Sequence, residues 1–303
     1  MSPLPSDRAV LLMAHGSRDA EARAEYRRIH AALVERLAPA TVVFSALEFP
    51  GEDGLPSIQA GWRQCLNGGA RHVVAVPFFL FPAGHVREDL PAELRSAREA
   101  EGWATIDFLP PLGPADELLD AVAARADEVA HGGADRDAAK TALILVGAGT
   151  SDPDANGDLC KAARLLWERY NDRFGLVDAA WVSLTRPSVG EMIDRCVRLG
   201  IERITIVPYF LNTGVLLKRI DARIREARTT HPSVSIERGG HVGPHPRLLD
   251  LIERRARAAL AAGATSGGTN GSDGLMAVCG RPSCASVVSG KAGLLVQAAP
   301  ATT

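Results

Sequence analysis

Aromatic residues make up only 5% of the 303-residue chain, so its core must be built mainly from Val, Leu, Ile and Ala. Cysteine is equally scarce. Cys65, Cys160, Cys196, Cys279 and Cys284 are odd in number and widely spaced, which argues against a disulfide framework and for a reducing, cytoplasmic setting. No apolar run approaches the roughly 20 residues that span a bilayer. The short apolar run near the N-terminus lacks a basic leader and ends in a polar loop, so it reads as a buried strand and not as a signal peptide. Charge of one sign is missing too: 34 Lys and Arg stand against 36 Asp and Glu, a net charge of −2. A general basic field for nucleic acid is therefore not expected. There is no Walker A sequence and no complete Gly-x-Gly-x-x-Gly, so no nucleotide is expected. These absences exclude a membrane protein, a small secreted scaffold, a coiled coil and a collagen-like chain.

What is present is a repeat. Leu12–Asp19 (LMAHGSRD) resembles Leu145–Asp152 (LVGAGTSD), Val76–Leu80 (VPFFL) resembles Val207–Leu211 (VPYFL), and Gly113–Asp120 resembles Gly243–Asp250. The offsets are 133, 131 and 130 residues, in the same order along the chain. Two homologous halves follow, 1–131 and 141–262, joined by a polar, Gly-containing linker. Residues 263–303 hold 8 Gly in 41 residues and no aromatic, which predicts a mobile tail.

Each half alternates β-branched apolar runs with amphipathic stretches. In the first, strands are expected at Ala9–Ala14, Thr41–Glu48, His72–Phe79 and Thr105–Leu109, with helices at Ala20–Leu37, Ser57–Leu66, Asp89–Ala100 and Asp116–Ala130. In the second, strands are expected at Ala142–Val146, Ala179–Leu184, Arg203–Tyr209 and Ser233–Glu237. Its helices are expected at Asp158–Phe174, Val189–Leu199, Val215–Ala227 and Pro246–Ala261. The fold class is therefore α/β: two Rossmann-like lobes, each a parallel four-stranded sheet with helices on both faces.

In such sheets, ligands bind outside the carboxyl ends of the strands. His15 follows the first strand, Glu48 ends the second and His85 follows the third. In a strand order of 2-1-3-4 those three strands are neighbours, and the side chains can converge. Two imidazoles and a carboxylate with open positions suit a divalent transition metal that must be released again. Singly, each is more often a loop or surface residue, and only the conjunction carries the reading. With the halves in register, His15 faces Ala148, Glu48 faces Thr185 across about six extra residues in 49–55, and His85 faces Leu216. The second half keeps the framework without the polar set.

His15-Gly-Ser-Arg-Asp19, the Glu of Phe44–Glu48 and the stretch Val76–Pro91 (VPFFLFPAGHVREDLP) resemble the class II, ATP-independent tetrapyrrole chelatases, in particular the long, two-repeat sirohydrochlorin chelatases of the CbiX type. The resemblance covers about residues 8–261. It implies that His15 and His85, helped by Glu48, hold incoming Co(II) or Fe(II), and that sirohydrochlorin lies in a cleft between the lobes. Cobalt is the first expectation, because the long two-repeat forms resemble the cobalt branch of cobalamin synthesis more closely than the iron branch of sirohaem synthesis. Metallation must deliver a cation and remove two pyrrole protons. An imidazole, which ordinarily titrates near ~6.5, can serve both ends of that exchange. Because the macrocycle is a polycarboxylate, Arg18, Arg87, Lys218 and Arg219, with Ser17 and the loop N–H groups, are the expected substrate contacts.

Other readings compete. A His-dependent phosphatase would carry Arg directly before the His, where Ala14 stands. A metal or tetrapyrrole carrier would use the same ligands, although Glu88 and Asp89 beside His85 favour turnover. His241 and His245 could pair on a metal, but turn structure is the favoured reading. Cys279 and Cys284 are spaced C-x4-C, and an iron–sulfur cluster needs about four ligands. Unligated thiols are therefore expected there, and a cluster bridging a homodimer is the minority reading.

Overall fold

The computed structural model describes residues 6–51, 55–129 and 137–262. The 263–303 segment, with Cys279 and Cys284, and residues 130–136 of the linker lie outside the described residues.

The first lobe runs β1 (Arg8–Ala14), α1 (Ala20–Leu37), β2 (Thr41–Ala46), α2 (Ile58–Asn67), β3 (His72–Pro77), α3 (Leu90–Glu101), β4 (Thr105–Phe108) and α4 (Asp116–Glu128). The second runs β5 (Thr141–Gly147), α5 (Pro153–Arg169), β6 (Leu176–Trp181), α6 (Val189–Arg198), β7 (Arg203–Pro208), α7 (Val215–Thr230), β8 (Ser235–Arg238) and α8 (Pro246–Ala262). The strand orders are β2-β1-β3-β4 and β6-β5-β7-β8, and every pairing is parallel. Both sheets thus have the 2-1-3-4 order that brings the ends of β1, β2 and β3 together.

Why these residues form these layers is visible in β1, whose seven residues are all buried. Val10, Leu12 and Ala14 face one core cluster, while Ala9, Leu11 and Met13 face another. A strand buried on both faces is built from apolar residues, which explains the unbroken run of Ala9–Ala14 after the buried Arg8. The outer cores lie beneath α2 and α3 in the first lobe and beneath α6 and α7 in the second. The inner core is continuous across the lobes. It joins Tyr26, Leu33 and Leu118 of the first to Leu159, Leu251 and Ile252 of the second.

Asp19 and Asp152 occupy equivalent positions as N-caps. Asp19 accepts from the N–H groups of Glu21 and Ala22, and Asp152 from those of Asp154 and Ala155. Each satisfies donors that the first helical turn would otherwise leave unpaired. The Asp152 cap, followed by Pro153, starts α5 five residues before the position expected from apolar spacing. Likewise β2 and β6 stop before Glu48 and Leu184. The backbone turns left-handed at Phe49 (φ 53°) and at Leu184 (φ 59°), which ends extended pairing.

Among the described residues, Cys65, Cys160 and Cys196 are free thiols. Burial pushes the Cys65 thiol up to about 12, so it is inert packing material. Among the described residues no helix is long and apolar enough to cross a membrane.

Candidate active site

Gly16 sits immediately after His15 with φ +99°, and a Cβ there would lie 2.0 Å from the Glu48 carbonyl oxygen. The Glu48 N–H donates to the His15 carbonyl at 2.7 Å. Glycine therefore lets the post-β1 loop close onto the end of β2, and this backbone bridge fixes the spacing of the two side chains. His85 arrives from the third strand. It opens a single π-helical turn, His85–Asp89, that leads into α3. Such turns are uncommon and often mark functional sites.

The three side chains meet. One ligand atom from each of His15, Glu48 and His85 lies within 4.8 Å of the others. The imidazole rings stand edge to face, with centroids 4.8 Å apart and planes at 77°. His15 Nε2 is 3.6 Å from Glu48 Oε1, and all three residues are half-buried. His85 Nδ1 lies 2.6 Å from Asp89 Oδ2. A carboxylate can only accept, so Nδ1–H is the donor and Nε2 is left as the ring's electron-pair donor. The pairing of Asp89 with His85 was not foreseen from the sequence, although their i,i+4 spacing on a helix carries the signal.

The second lobe clarifies the comparison between halves. Ser183 N–H donates to the Ala148 carbonyl at 3.0 Å, and Gly149, at φ +85°, would put a Cβ 1.8 Å from the Ser183 carbonyl. The structural counterpart of Glu48 is therefore Ser183, not Thr185. Bridges Ala46–Ser57 and Trp181–Ser188 bound the two loops, eleven steps against seven, so the first is four residues longer rather than six. The sequence alignment placed the gap wrongly because no residue type marks the left-handed turn that ends both strands. Ala148 and Leu216 hold their expected places opposite His15 and His85. The Val86 and Leu217 N–H groups make the same turn contacts, to Ala83 and Gly214.

Between the lobes lies a cavity of about 260 Å³. His15, Phe81 and Tyr209 line it with Ala148, Thr150 and Trp181. The Phe81 and Tyr209 rings stack at 5.8 Å. A larger groove, about 730 Å³, opens on the outer face of the second lobe between α6 and α7, away from the three donors. In the first lobe the fully buried Trp62 fills the space between α2 and α3 and donates its indole N–H to the Gly102 carbonyl, whereas Ile193 stands at that position in α6.

Arg87 reaches Asp152 of the other lobe at 3.2 Å and Asp154 at 3.9 Å, while Lys218 reaches Asp19 at 3.6 Å. Burial pushes the Asp19 carboxyl up, but the N–H groups of Ala22 and Glu21 and the Lys218 ammonium outweigh it and hold it low. Arg18 lies over the Phe49 ring at 4.4 Å, beside the metal-ligand candidates, and Ser17 Oγ accepts from the Asp19 N–H. Arg219 lines the outer groove, and Arg18, Arg87 and Lys218 line neither space. His241 meets the buried Glu25 at 3.2 Å, and His245 Nδ1 accepts from the Arg247 N–H ahead of α8. Glu25 also accepts from the Thr213 N–H at 2.7 Å, which ties α1 to the post-β7 loop.

The comparisons agree with this fold. The model of the CbiX family matches twice, over residues 9–129 and 142–259. The chain is 34% identical over 253 residues, 84% of its length and 80% of the relative's, to a protein of Priestia megaterium named sirohydrochlorin cobaltochelatase. It is 26% identical over 249 residues, 82% and 90%, to the sirohydrochlorin ferrochelatase of Bacillus subtilis. Among solved structures it resembles SirB from Bacillus subtilis with Fe3+, at a TM-score of 0.72 and 25% identity over 85% of this chain and 97% of that one. The chain belongs to the CbiX family, one copy of whose unit forms each of its two lobes.

Proposed function

We propose that the protein is a sirohydrochlorin chelatase that inserts Co(II) into the macrocycle without ATP. The observation that carries this is the convergence of His15, Glu48 and His85 within 4.8 Å beside an apolar cleft between two lobes. Cobalt is favoured because the relative at 34% identity is named a cobaltochelatase, against 26% for the ferrochelatase. Iron is the second reading. Residues 1–131 supply the metal donors, and residues 141–262 form the facing wall.

In this reading the metal is a substrate, held by the two imidazoles and the carboxylate until the pyrrole nitrogens replace them. The exchange takes in one divalent cation and releases two protons. An imidazole that gives up its metal bond has a free electron pair and can accept a pyrrole proton. Glu48, 3.6 Å from His15 Nε2, is placed to pass it to solvent. Nitrogen and oxygen donors bind such ions without the grip of several thiolates, which suits transfer. Ser17, Arg18, Arg87 and Lys218 are assigned to the macrocycle's acetate and propionate groups.

The test is direct. Purified protein mixed anaerobically with sirohydrochlorin and Co(II) or Fe(II) is expected to accelerate the visible spectral change of metallation. No acceleration with either metal overturns the proposal.

Asp89 should act through His85. Asp89→Ala is expected to raise the KM for the metal by roughly 10–100-fold, the usual cost of losing a partner that orients a ligand. The KM for sirohydrochlorin should stay near wild type, and Asp89→Asn should restore part of the loss, because its amide oxygen can still accept from Nδ1–H. Equal changes in both KM values would show that Asp89 merely supports the fold.

A further inference from the structure

Two ion pairs cross between the lobes, and they are related by the repeat. Arg87 follows His85 by two residues in the first lobe and pairs with Asp152, the N-cap of α5 in the second. Lys218 follows Leu216, the counterpart of His85, by two residues and pairs with Asp19, the N-cap of α1 in the first. Each cation thus reaches from the start of its lobe's third helix to the first-helix cap of the other lobe. Their neighbours Ala83 and Thr150 line the cavity.

The cavity is also too small. At about 260 Å³ it falls below the ~300–1,000 Å³ usual for drug-sized ligands, and a tetrapyrrole carrying acetate and propionate groups lies at or beyond the top of that range. Enclosing the whole macrocycle between the lobes therefore requires the cleft to widen. The continuous inner core holds α1, α4 and α8 together behind it, and the buried Glu25 ties the Thr213 N–H of the post-β7 loop to α1. The widening then falls to the loop that follows β3 and, beyond the Thr213 tether, to Gly214 and the start of α7. Those segments contain Gly84 and Gly214, where an added Cβ would meet nothing within 4 Å, and they are held across the cleft by the two ion pairs.

We propose that Arg87 and Lys218 select the substrate by ion-pair exchange: carboxylates of the macrocycle displace Asp152 and Asp19, so that binding the polycarboxylate and opening the cleft are one event. This rests on the chelatase reading and adds to it which macrocycles are accepted. A tetrapyrrole without peripheral carboxylates cannot replace the aspartates and leaves the cleft shut. The Lys218 pair is the more exposed and the Arg87 pair the more enclosed, with cation exposures of 67% and 34%, so Arg87 contributes more to discrimination.

The exchange makes an opposite-signed prediction for the two halves of each pair. Asp19→Asn and Asp152→Asn keep the helix cap, since Asn caps as well as Asp, but remove the competing charge. Metal-free sirohydrochlorin is titrated by visible absorbance into wild type, the Asn variants, and Arg87→Met and Lys218→Met. Each Asn variant is expected to bind about two- to fivefold more tightly, in keeping with the modest worth of partly exposed ion pairs, and each Met variant more weakly. The methyl-esterified macrocycle, which can pair with neither cation, should bind wild type most weakly and gain alike from the Asn and the Met variants, since both remove the pair that holds the cleft. If the Asn variants bind the free acid no better than wild type, the exchange is wrong even though the chelatase reading stands. If wild type does not bind sirohydrochlorin at all, the chelatase reading fails and the exchange with it. Circular dichroism melts with the wild-type midpoint show that the caps have survived.

Discussion

His85→Ala is expected to slow metallation by more than a hundredfold, with His15→Ala close behind. The loss should exceed the roughly 10–100-fold that follows from losing a partner which only orients a ligand, because here a donor itself disappears. What remains in either variant is one imidazole and one carboxylate, too few to hold a divalent ion against water. Glu48→Gln keeps the shape but not the charge, and is expected to lose less. The ordering is as informative as the magnitude. Three donors within 4.8 Å should fail as a unit, so a His15→Ala, His85→Ala double variant should be scarcely worse than either single one. Rates and Co(II) titrations of the three proteins check this. Near-wild-type rates in both single variants would clear the histidines of the metal role. Ala148 and Leu216, which occupy the corresponding places in the second lobe, provide the control: Leu216→Ala should leave the affinity for Co(II) unchanged.

The second large effect concerns backbone. Gly16→Ala would place a methyl group 2.0 Å from the Glu48 carbonyl oxygen at a φ of +99°. The atom in the way is main chain and cannot rotate aside. The post-β1 loop or the end of β2 must then shift, which separates His15 from Glu48. A non-glycine residue held in a sparsely populated backbone region already costs about 1–3 kcal/mol, and the collision adds to it. Gly149→Ala meets the same obstacle at 1.8 Å from the Ser183 carbonyl, in the lobe without donors. The two variants should therefore lose similar amounts of stability in urea melts, while only Gly16→Ala loses its affinity for Co(II). Equal loss of metal affinity in both would mean that the site depends on general stability and not on this local closure.

Much of this architecture is legible in the residues. The strand order could be anticipated because alternating strands and helices admit few right-handed arrangements, and the convergence of His15, Glu48 and His85 followed from that order alone. The start of α5 was missed because Pro153 and Asp154 look like loop, although Asp152 before them is a strong cap. The register of Glu48 against Ser183 was missed because the turn is encoded in backbone angles at Phe49 and Leu184, which no pattern of hydrophobicity reports. The ion pairs of Arg87 and Lys218 with the opposite lobe were out of reach, since the residues they join are more than sixty positions apart in one case and nearly two hundred in the other.

The inner core shared by the lobes also bears on how the chain is made. A ribosome adds about 5–20 residues per second, so the second lobe is completed roughly 7–27 s after the first. Throughout that interval the faces of α1 and α4 that pack against α8 have only water or another chain to meet. The nascent first half is therefore the aggregation-prone species in the life of this protein. Slow translation or early termination near residue 130 should recruit chaperones, or drive first halves onto each other, in a way that slow translation inside the second half does not.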